Sequence, residues 1–232
     1  MKKFLLRILL KLSWTVGGKS DAQDGIPRVL GPDIEPHLAR MHPGDVVLVG
    51  NNGGLSHIAL HVGSGQIVHS MATEKTMRGM IGSLIDAIKR MFGWSDDSAL
   101  TGVVEEPLAG FFDRYERDTW LILRHEQLLP EQAARGVAHA RTLIGKAYDY
   151  DFEADDDEYY CTEIVLEFLS AALGDTAPQF AKKKTRVPML LDTEVVEPIA
   201  VLHSGALTPV LGNAAARISY EGWLGDAHIV GE

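Results

Sequence analysis

The sequence predicts an α+β fold in which an antiparallel sheet packs against one helix. Residues 46–70 contain short apolar runs separated by tight turns, a pattern typical of paired strands. Residues 162–173 repeat apolar side chains at helical spacing, so one face of that helix should be buried. Cys161, the only cysteine among 232 residues, stands immediately before this face. The length permits one large domain or two small ones.

Composition narrows the class of protein. Hydrophobic residues make up 46% of the chain and charged residues 23%, which is ordinary for a soluble globular protein. The formal net charge is -10 and the pI is about 5.3, which argues against a general nucleic-acid binder. A single cysteine also excludes an intrachain disulfide and a cysteine-rich metal site.

The first fourteen residues form a basic, amphipathic pattern that a helix would divide into an apolar and a cationic face. Arg7 and Lys11 interrupt the apolar run that a secretory signal requires. We expect this segment either to dock on the body of the protein or to lie on an anionic membrane surface. No stretch is long and apolar enough to predict a transmembrane helix. Residues 1–30 are therefore assigned to an N-terminal segment and linker, and residues 31–232 to the folded domain.

The remaining elements follow from the same periodicities. Residues 46–49 read as a buried strand, and residues 55–62 and 66–70 as a hairpin joined by a Gly-Ser-Gly turn. The other predicted elements are a helix at 76–92, strands at 101–105, 119–124 and 194–202, helices at 107–115 and 130–144, and a solvated basic loop at 181–186.

Cys161 is predicted to lie at the first turn of its helix. Backbone N–H groups and the helix dipole at that end favour a thiolate, which is the nucleophilic form of cysteine. The alternative is a buried structural cysteine, a common fate of a free thiol.

Three histidines in the predicted hairpin could serve this thiol. Strand alternation places His57 and His61 on one face, and the turn folds His69 back alongside them. A cysteine hydrolase needs a thiol, a base that takes its proton, and a polar group that fixes the tautomer of the base. Cys161, His57 and His69 are candidates for these three roles, and His61 is the main rival of His57 as base.

Two other interpretations of the histidines stay open. His57, His61 and His69 could bind zinc, although no acidic general base is evident beside them. They could also be ordinary polar residues satisfied within the sheet. We favour the thiol–imidazole pair and predict neither a metal nor a cofactor.

The same residues carry a family resemblance. Gly44-Asp45-Val-Val-Leu-Val followed by Ser56-His57-Ile-Ala-Leu-His-Val-Gly-Ser-Gly-Gln-Ile-Val-His69 resembles the barrel hairpin of NlpC-like papain-fold cysteine hydrolases. In that family the base begins a strand, and a polar residue, often His, follows twelve positions later. Gly145-Lys-Ala-Tyr148, upstream of Cys161, resembles the segment that precedes the family's nucleophile.

The order of the motifs is reversed relative to most of these enzymes. The order His57, His69, Cys161 resembles that of the circularly permuted branch, which includes YiiX-like proteins and the lecithin retinol acyltransferase group. Tyr-Tyr-Cys161-Thr-Glu is closer to the YiiX-like motif than to the Asn-Cys-Glu-His of the acyltransferases. The resemblance covers roughly residues 42–172.

The resemblance implies a permuted papain-like fold, with an antiparallel sheet or barrel packed against the nucleophile helix. It implies Cys161 as nucleophile, His57 as general base and His69 as the residue that orients His57. Tyr148 would supply a hydroxyl, either on the oxyanion side of the site or in support of the catalytic residues. The alternative is a tyrosine whose role is packing in the core.

The implied activity is that of a cysteine peptidase or amidase that acts through a thioester, with cell-wall peptides as one substrate class. The alternatives are an acyltransferase or lipase with the same triad, and a non-catalytic binding module. The expected partner is a peptide or acyl-amide substrate, with peripheral membrane contact through residues 1–14 and no nucleic acid. The resemblance points to a bacterial protein. We expect it either to be exported, to the periplasm or through a secretion system, or to be cytoplasmic and membrane-associated.

Overall fold

The structure is a computed structural model of the 232-residue chain, and it describes residues 35–51, 53–71, 102–115, 119–149, 152, 157–187 and 191–230. The amphipathic segment at 1–14, the linker after it and the helix predicted at 76–92 lie outside these residues. The boundary predicted between residues 30 and 31 lies outside them as well.

The described residues form one seven-stranded sheet and a separate two-stranded one. The strands are β1 (Val46–Gly50), β2 (His57–Gly63), β3 (Gln66–Met71), β4 (Gly102–Pro107), β5 (Thr119–Arg124), β6 (Lys183–Val187), β7 (Leu191–Val195), β8 (Thr208–Asn213) and β9 (His228–Val230). The large sheet has the order β4-β3-β2-β1-β5-β8-β9 and is antiparallel except for the β8–β9 pair. Within the described residues it is open, because β4 and β9 form its two edges, so the expected sheet is present there without closure into a barrel.

Helices cover both faces of this sheet. They are α1 (Leu108–Tyr115), α2 (Pro130–Thr142), α3 (Cys161–Leu173), α4 (Pro198–His203) and α5 (Ala214–Leu224), with short 3₁₀ turns at Glu35–Arg40 and Gly174–Thr176. The helix α3 packs between α2 and the strands β2 and β3. This is the arrangement that the apolar face of residues 162–173 predicts.

Strand alternation divides the interior into two cores. Leu48 and Leu60 point to the side of α3 and pack with Phe168, and we call this cluster the α3 core. Val47 and Ala59 point to the opposite side and pack with Phe111, and we call that cluster the α1 core. Neighbouring residues of one strand therefore serve different cores, as the two-residue side-chain period requires.

Close packing between α2 and α3 depends on a glycine. A Cβ atom at Gly136 would lie 2.6 Å from Cδ2 of the Phe168 ring and 2.8 Å from its backbone oxygen. The missing side chain lets the two helices approach, which presses α3 onto the sheet.

Most predicted elements are confirmed within a residue or two, and two predictions near the C-terminus are wrong. The strand predicted at 194–202 ends at Val195, and Pro198 begins α4 because proline is favoured in the first helical turn. The basic run at 181–186 is not simply a loop, since Lys183 starts β6 and pairs with Val195. Among the described helices, none has the length and apolar character needed to cross a membrane.

Candidate active site

The helix α3 begins at Cys161 because the residues around it satisfy its first turn. Tyr160 has an extended backbone, with φ -90° and ψ 172°, and its N–H donates to Oε2 of Glu163 at 2.9 Å. A Glu three residues after the N-cap is a recurrent helix start. The Tyr160 hydroxyl accepts a 3.1 Å bond from the backbone N–H of Val196, which fixes the approach to the helix.

The Cys161 thiol is enclosed, and only 8% of the residue is exposed. Burial raises the pKa of the thiol to about 11, against the smaller lowering effects of hydrogen bonds from the Thr162 side chain and from the backbone of Ile58. The sequence analysis weighed the N–H groups of the helix start, which favour a thiolate, against a buried cysteine, and burial here raises the pKa of the thiol. Loss of hydration on burial disfavours the charged form of the thiol more than the N–H groups at the start of the helix favour it.

Thr162 follows Cys161 in α3 and is fully buried. Its Oγ1 has no hydrogen-bond partner of normal geometry among the described residues, yet it lowers the pKa of Cys161 by donating to the ionised sulfur. A hydroxyl donor at this position favours the ionised form of the thiol.

His57 and His69 form a direct pair. Nε2 of His57 lies 2.9 Å from Nδ1 of His69, and the two rings meet edge to face at 84°. Both rings also contact Phe111, with centroid separations of 5.7 Å and 5.0 Å. The sequence-based expectation that the hairpin brings these two imidazoles together is met.

The pair continues to a carboxylate that the sequence analysis missed. Nε2 of His69 lies 2.8 Å from Oε1 of Glu106, and Glu106 is only 8% exposed. The pairing of β3 with β4 sets Ile67 opposite Glu106 and His69 opposite Val104, so Glu106 and His69 share a face. In the sequence, Glu106 reads as the polar end of a strand, and only its position beside β3 identifies it.

Cys161 and the two imidazoles pack in different clusters: Cys161 belongs to the α3 core, whereas both rings contact Phe111 of the α1 core. In the pairing of β2 with β3, Leu60 lies opposite Val68 and Gly63 lies opposite Gln66. His57 precedes these paired residues of β2. On β3, the Ser70 hydroxyl donates a hydrogen bond to the Tyr159 carbonyl, and this bond holds the segment before α3 against β3. The backbone of Ile58, the residue that directly follows His57, lies near enough to Cys161 to lower the pKa of the thiol.

Tyr148 is held beside the nucleophile segment. The backbone N–H of Asp149 donates to the Tyr159 carbonyl at 3.2 Å, and that of Tyr159 donates to the Ala147 carbonyl at 2.9 Å. Tyr148 is buried in the α3 core together with Cys161. This placement is compatible with either predicted role, packing or a hydroxyl near the reacting atoms.

His61 belongs to a different group of side chains. Its Nδ1–H donates to the His42 carbonyl at 2.9 Å, and burial lowers its pKa. Nearby, Arg124 makes a two-pronged ion pair with the buried Asp45. His61 is not a member of the hydrogen-bonded series formed by His57, His69 and Glu106.

Comparison with known proteins places the chain. The sequence profile of a family described as "permuted papain-like amidase enzyme, YaeF/YiiX, C92 family" matches residues 41–211, well over half of the chain. The chain belongs to this family. The predicted permuted papain-like branch and the predicted class of enzyme, a cysteine peptidase or amidase, are thereby confirmed.

Two relatives agree with this placement. The chain is 32% identical to the uncharacterized protein YiiX of Escherichia coli K12, in an alignment of 123 residues that covers 45% of this chain and 60% of that protein. It also resembles a crystal structure titled metalloprotein yiiX from Escherichia coli O157:H7, with a TM-score of 0.50, 20% identity, and coverage of 73% of this chain and 96% of that one. At this identity the second comparison supports the fold alone.

The residues of this chain do not fit a metal centre at the histidines. Among the described residues, no group of three His, Cys, Asp or Glu side chains is arranged to hold a metal ion. His57 and His69 hydrogen-bond directly at 2.9 Å, and His61 is engaged with the His42 carbonyl. The zinc interpretation of the three histidines therefore has no geometric support here.

Proposed function

We propose that the protein hydrolyses amide bonds with Cys161 as nucleophile, His57 as general base and His69 as the residue that orients His57. The observation that carries the proposal is the arrangement at the start of β2. The backbone of Ile58 lies near enough to Cys161 to lower the pKa of the thiol, and His57, one residue earlier, is paired with His69 at 2.9 Å. A thiol, a base and a group that orients the base are the three parts that such chemistry requires.

The reaction begins from a neutral thiol. His57 takes the thiol proton as the sulfur attacks the substrate carbonyl carbon, and a tetrahedral intermediate forms. Its collapse breaks the C–N bond, and protonated His57 gives its proton to the departing amine. Water then attacks the thioester while His57 takes one of its protons, and the carboxylic acid leaves as the C–S bond breaks and the thiol regains its proton.

The start of α3 is suited to the negative charge that develops during these steps. The backbone N–H groups in the first turn of a helix have no partners within the helix. Those of Cys161 and Thr162 already lower the pKa of the thiol, so they point at the reacting sulfur. We assign oxyanion stabilisation to N–H groups of this turn, with the Tyr148 hydroxyl as an additional candidate donor.

For the substrate, we propose peptide amides, including those of the bacterial cell wall. One observation favours a second class, N-acyl amides or lipid esters. Ile218 on α5 is 82% exposed, and its helix borders the loop that leads to His57. The Tyr220 hydroxyl bonds to the backbone of Leu55, and a Cβ at Gly53 would lie 2.1 Å from Oγ of Ser219. An apolar side chain at this border suits an acyl chain.

The test compares substrate classes with matched variants. Purified protein is incubated with cell-wall stem peptides, with N-acyl amides and with phospholipid esters, and the products are followed by mass spectrometry. We expect turnover of amides, a trapped acyl adduct on Cys161, and loss of activity in Cys161→Ala and His57→Ala. His61→Ala serves as the matched control and should retain activity if folded. Unchanged turnover in Cys161→Ala would refute the proposal, and ester turnover alone would favour the acyl-lipid alternative.

A further inference from the structure

The buried carboxylate of Glu106 ends a series of hydrogen bonds that the predicted triad does not include. Oε1 of Glu106 lies 2.8 Å from Nε2 of His69, and Nδ1 of His69 lies 2.9 Å from Nε2 of His57. His69 is fully buried, so water cannot replace either partner of its ring. The position of the proton on His69 therefore determines the position of the proton on His57.

The direction of the series follows from the chemistry of its end group. A carboxylate only accepts hydrogen bonds, so Nε2 of His69 must carry the proton. In a neutral imidazole the other nitrogen is then an acceptor, and Nδ1 of His69 accepts from Nε2–H of His57. By the same rule, Nδ1 of neutral His57 carries no proton and has the lone pair that a base needs.

The atom selected in this way is the ring nitrogen of His57 that does not pair with His69. Nε2 of His57 already hydrogen-bonds to His69, so a proton from the thiol can be accepted only at Nδ1. If the series ran in the opposite direction, Nδ1 of His57 would carry a proton and could not accept one from the thiol.

We infer that Glu106 is a positioning residue that sets the tautomers of both His69 and His57 and so makes Nδ1 of His57 the base. The inference rests on the proposed function for its catalytic meaning, while the tautomers themselves are a property of the resting protein. Glu106 acts through His69 and needs no contact with the substrate.

The neighbouring Glu105 provides a matched control. It lies on the same strand one residue earlier, and its carboxylate pairs with Arg141 on the surface at 2.8 Å. Glu105→Gln removes the same charge from the same strand without touching the imidazole series. Glu106→Gln keeps the size of the side chain but offers an amide, which can donate to His69 as well as accept from it.

The test reads the tautomers directly. The protein is labelled with ¹⁵N-histidine, and long-range ¹H–¹⁵N correlation spectra at neutral pH distinguish protonated from unprotonated ring nitrogens. His57 and His69 signals are assigned by their loss in His57→Gln and His69→Gln. In the unmodified protein we expect both rings to be protonated at Nε2 and unprotonated at Nδ1.

The variants then separate this role from a structural one. In Glu106→Gln we expect the opposite tautomer to appear in His69 and His57, and kcat/KM to fall between about tenfold and 10⁴-fold, the upper figure being the effect of a wrong tautomer in a serine protease triad. Glu105→Gln should keep the spectrum and stay within twofold of the original rate. The inference is overturned if His57 of the unmodified protein is protonated at Nδ1, or if folded Glu106→Gln keeps both tautomers.

The two proposals fail in different ways. Full activity in Cys161→Ala would end the proposed function, yet the spectra would still decide the role of Glu106 in setting the tautomers. If Glu106→Gln does not fold, the spectrum of the unmodified protein decides the question by itself.

Discussion

Titration of Cys161 gives the sharpest test of how this thiol is activated. Burial raises its pKa to about 11. At pH 7 about one molecule in 10⁴ then carries a thiolate, compared with a few per cent for a free cysteine of pKa about 8.5. A reagent that reacts only with pre-formed thiolate should therefore be about 300-fold slower than with a free thiol.

Because Cys161 is the only cysteine in the chain, the measurement needs no correction for other thiols. The ultraviolet absorbance of the thiolate is followed against pH, with Cys161→Ala as the blank, and the rate of iodoacetamide alkylation is followed in parallel. We expect both to rise only well above neutral pH. A thiolate that forms below pH 7 would show a resting ion pair with an imidazole and refute the reasoning.

Thr162→Val extends the same measurement. The substitution keeps the shape of a fully buried side chain and removes the hydroxyl that donates to the ionised sulfur. We expect the Cys161 pKa to rise further, while the stability of the protein changes little, since Oγ1 has no other partner of normal geometry among the described groups. An unchanged or lower thiol pKa in this variant would contradict the role of the hydroxyl.

Two further predictions concern stability. Burial lowers the pKa of His61 below its ordinary value of 6.5. As pH falls below 6.5 the unfolded chain therefore binds a proton that the folded chain does not, and the free energy of unfolding should decrease from that pH downward. His61→Phe should reduce this pH dependence, measured in urea melts between about pH 7.5 and pH 5. Gly136→Ala should lower the free energy of unfolding by about 1–3 kcal/mol because its methyl group would clash with Phe168. Gly222→Ala is the control, because no atom lies within 4 Å of the new methyl group in α5. This variant should be neutral or stabilised by up to about 1 kcal/mol. An equal loss of unfolding free energy in both glycine variants would rule out the clash.

The sequence predicts the elements near the site well because local patterns dominate there. The alternation of His57 to Val62, the tight turn after it and the apolar face of residues 162–173 each point to one structure. The pairing of His57 with His69 follows from the short hairpin, since few residues separate the two strands and their register is constrained by the turn.

What the sequence could not reveal depends on contacts between distant segments. Glu106 meets His69 only because β4 pairs with β3 from more than thirty positions away in the chain. The raised pKa of Cys161 likewise depends on burial by segments that a helix pattern does not include, so the helix start alone does not give the direction of its shift. At β6 and β7, cross-strand pairing determined the structure of a basic run that local composition had suggested was a loop.

The neutral thiol and the direction of the imidazole series lead to one account of activation. A thiol of pKa about 11 cannot rely on a standing thiolate, so its proton must move during attack on the substrate. That transfer requires an unprotonated nitrogen beside the sulfur before the substrate arrives. In the proposed mechanism, the hydrogen bonds from Glu106 through His69 to His57 leave such a nitrogen at Nδ1, and the same bonds stabilise the imidazolium that forms when the proton arrives. Burial of the thiol and burial of the carboxylate are thus linked: the first creates the need for a general base, and the second keeps that base in the correct tautomer.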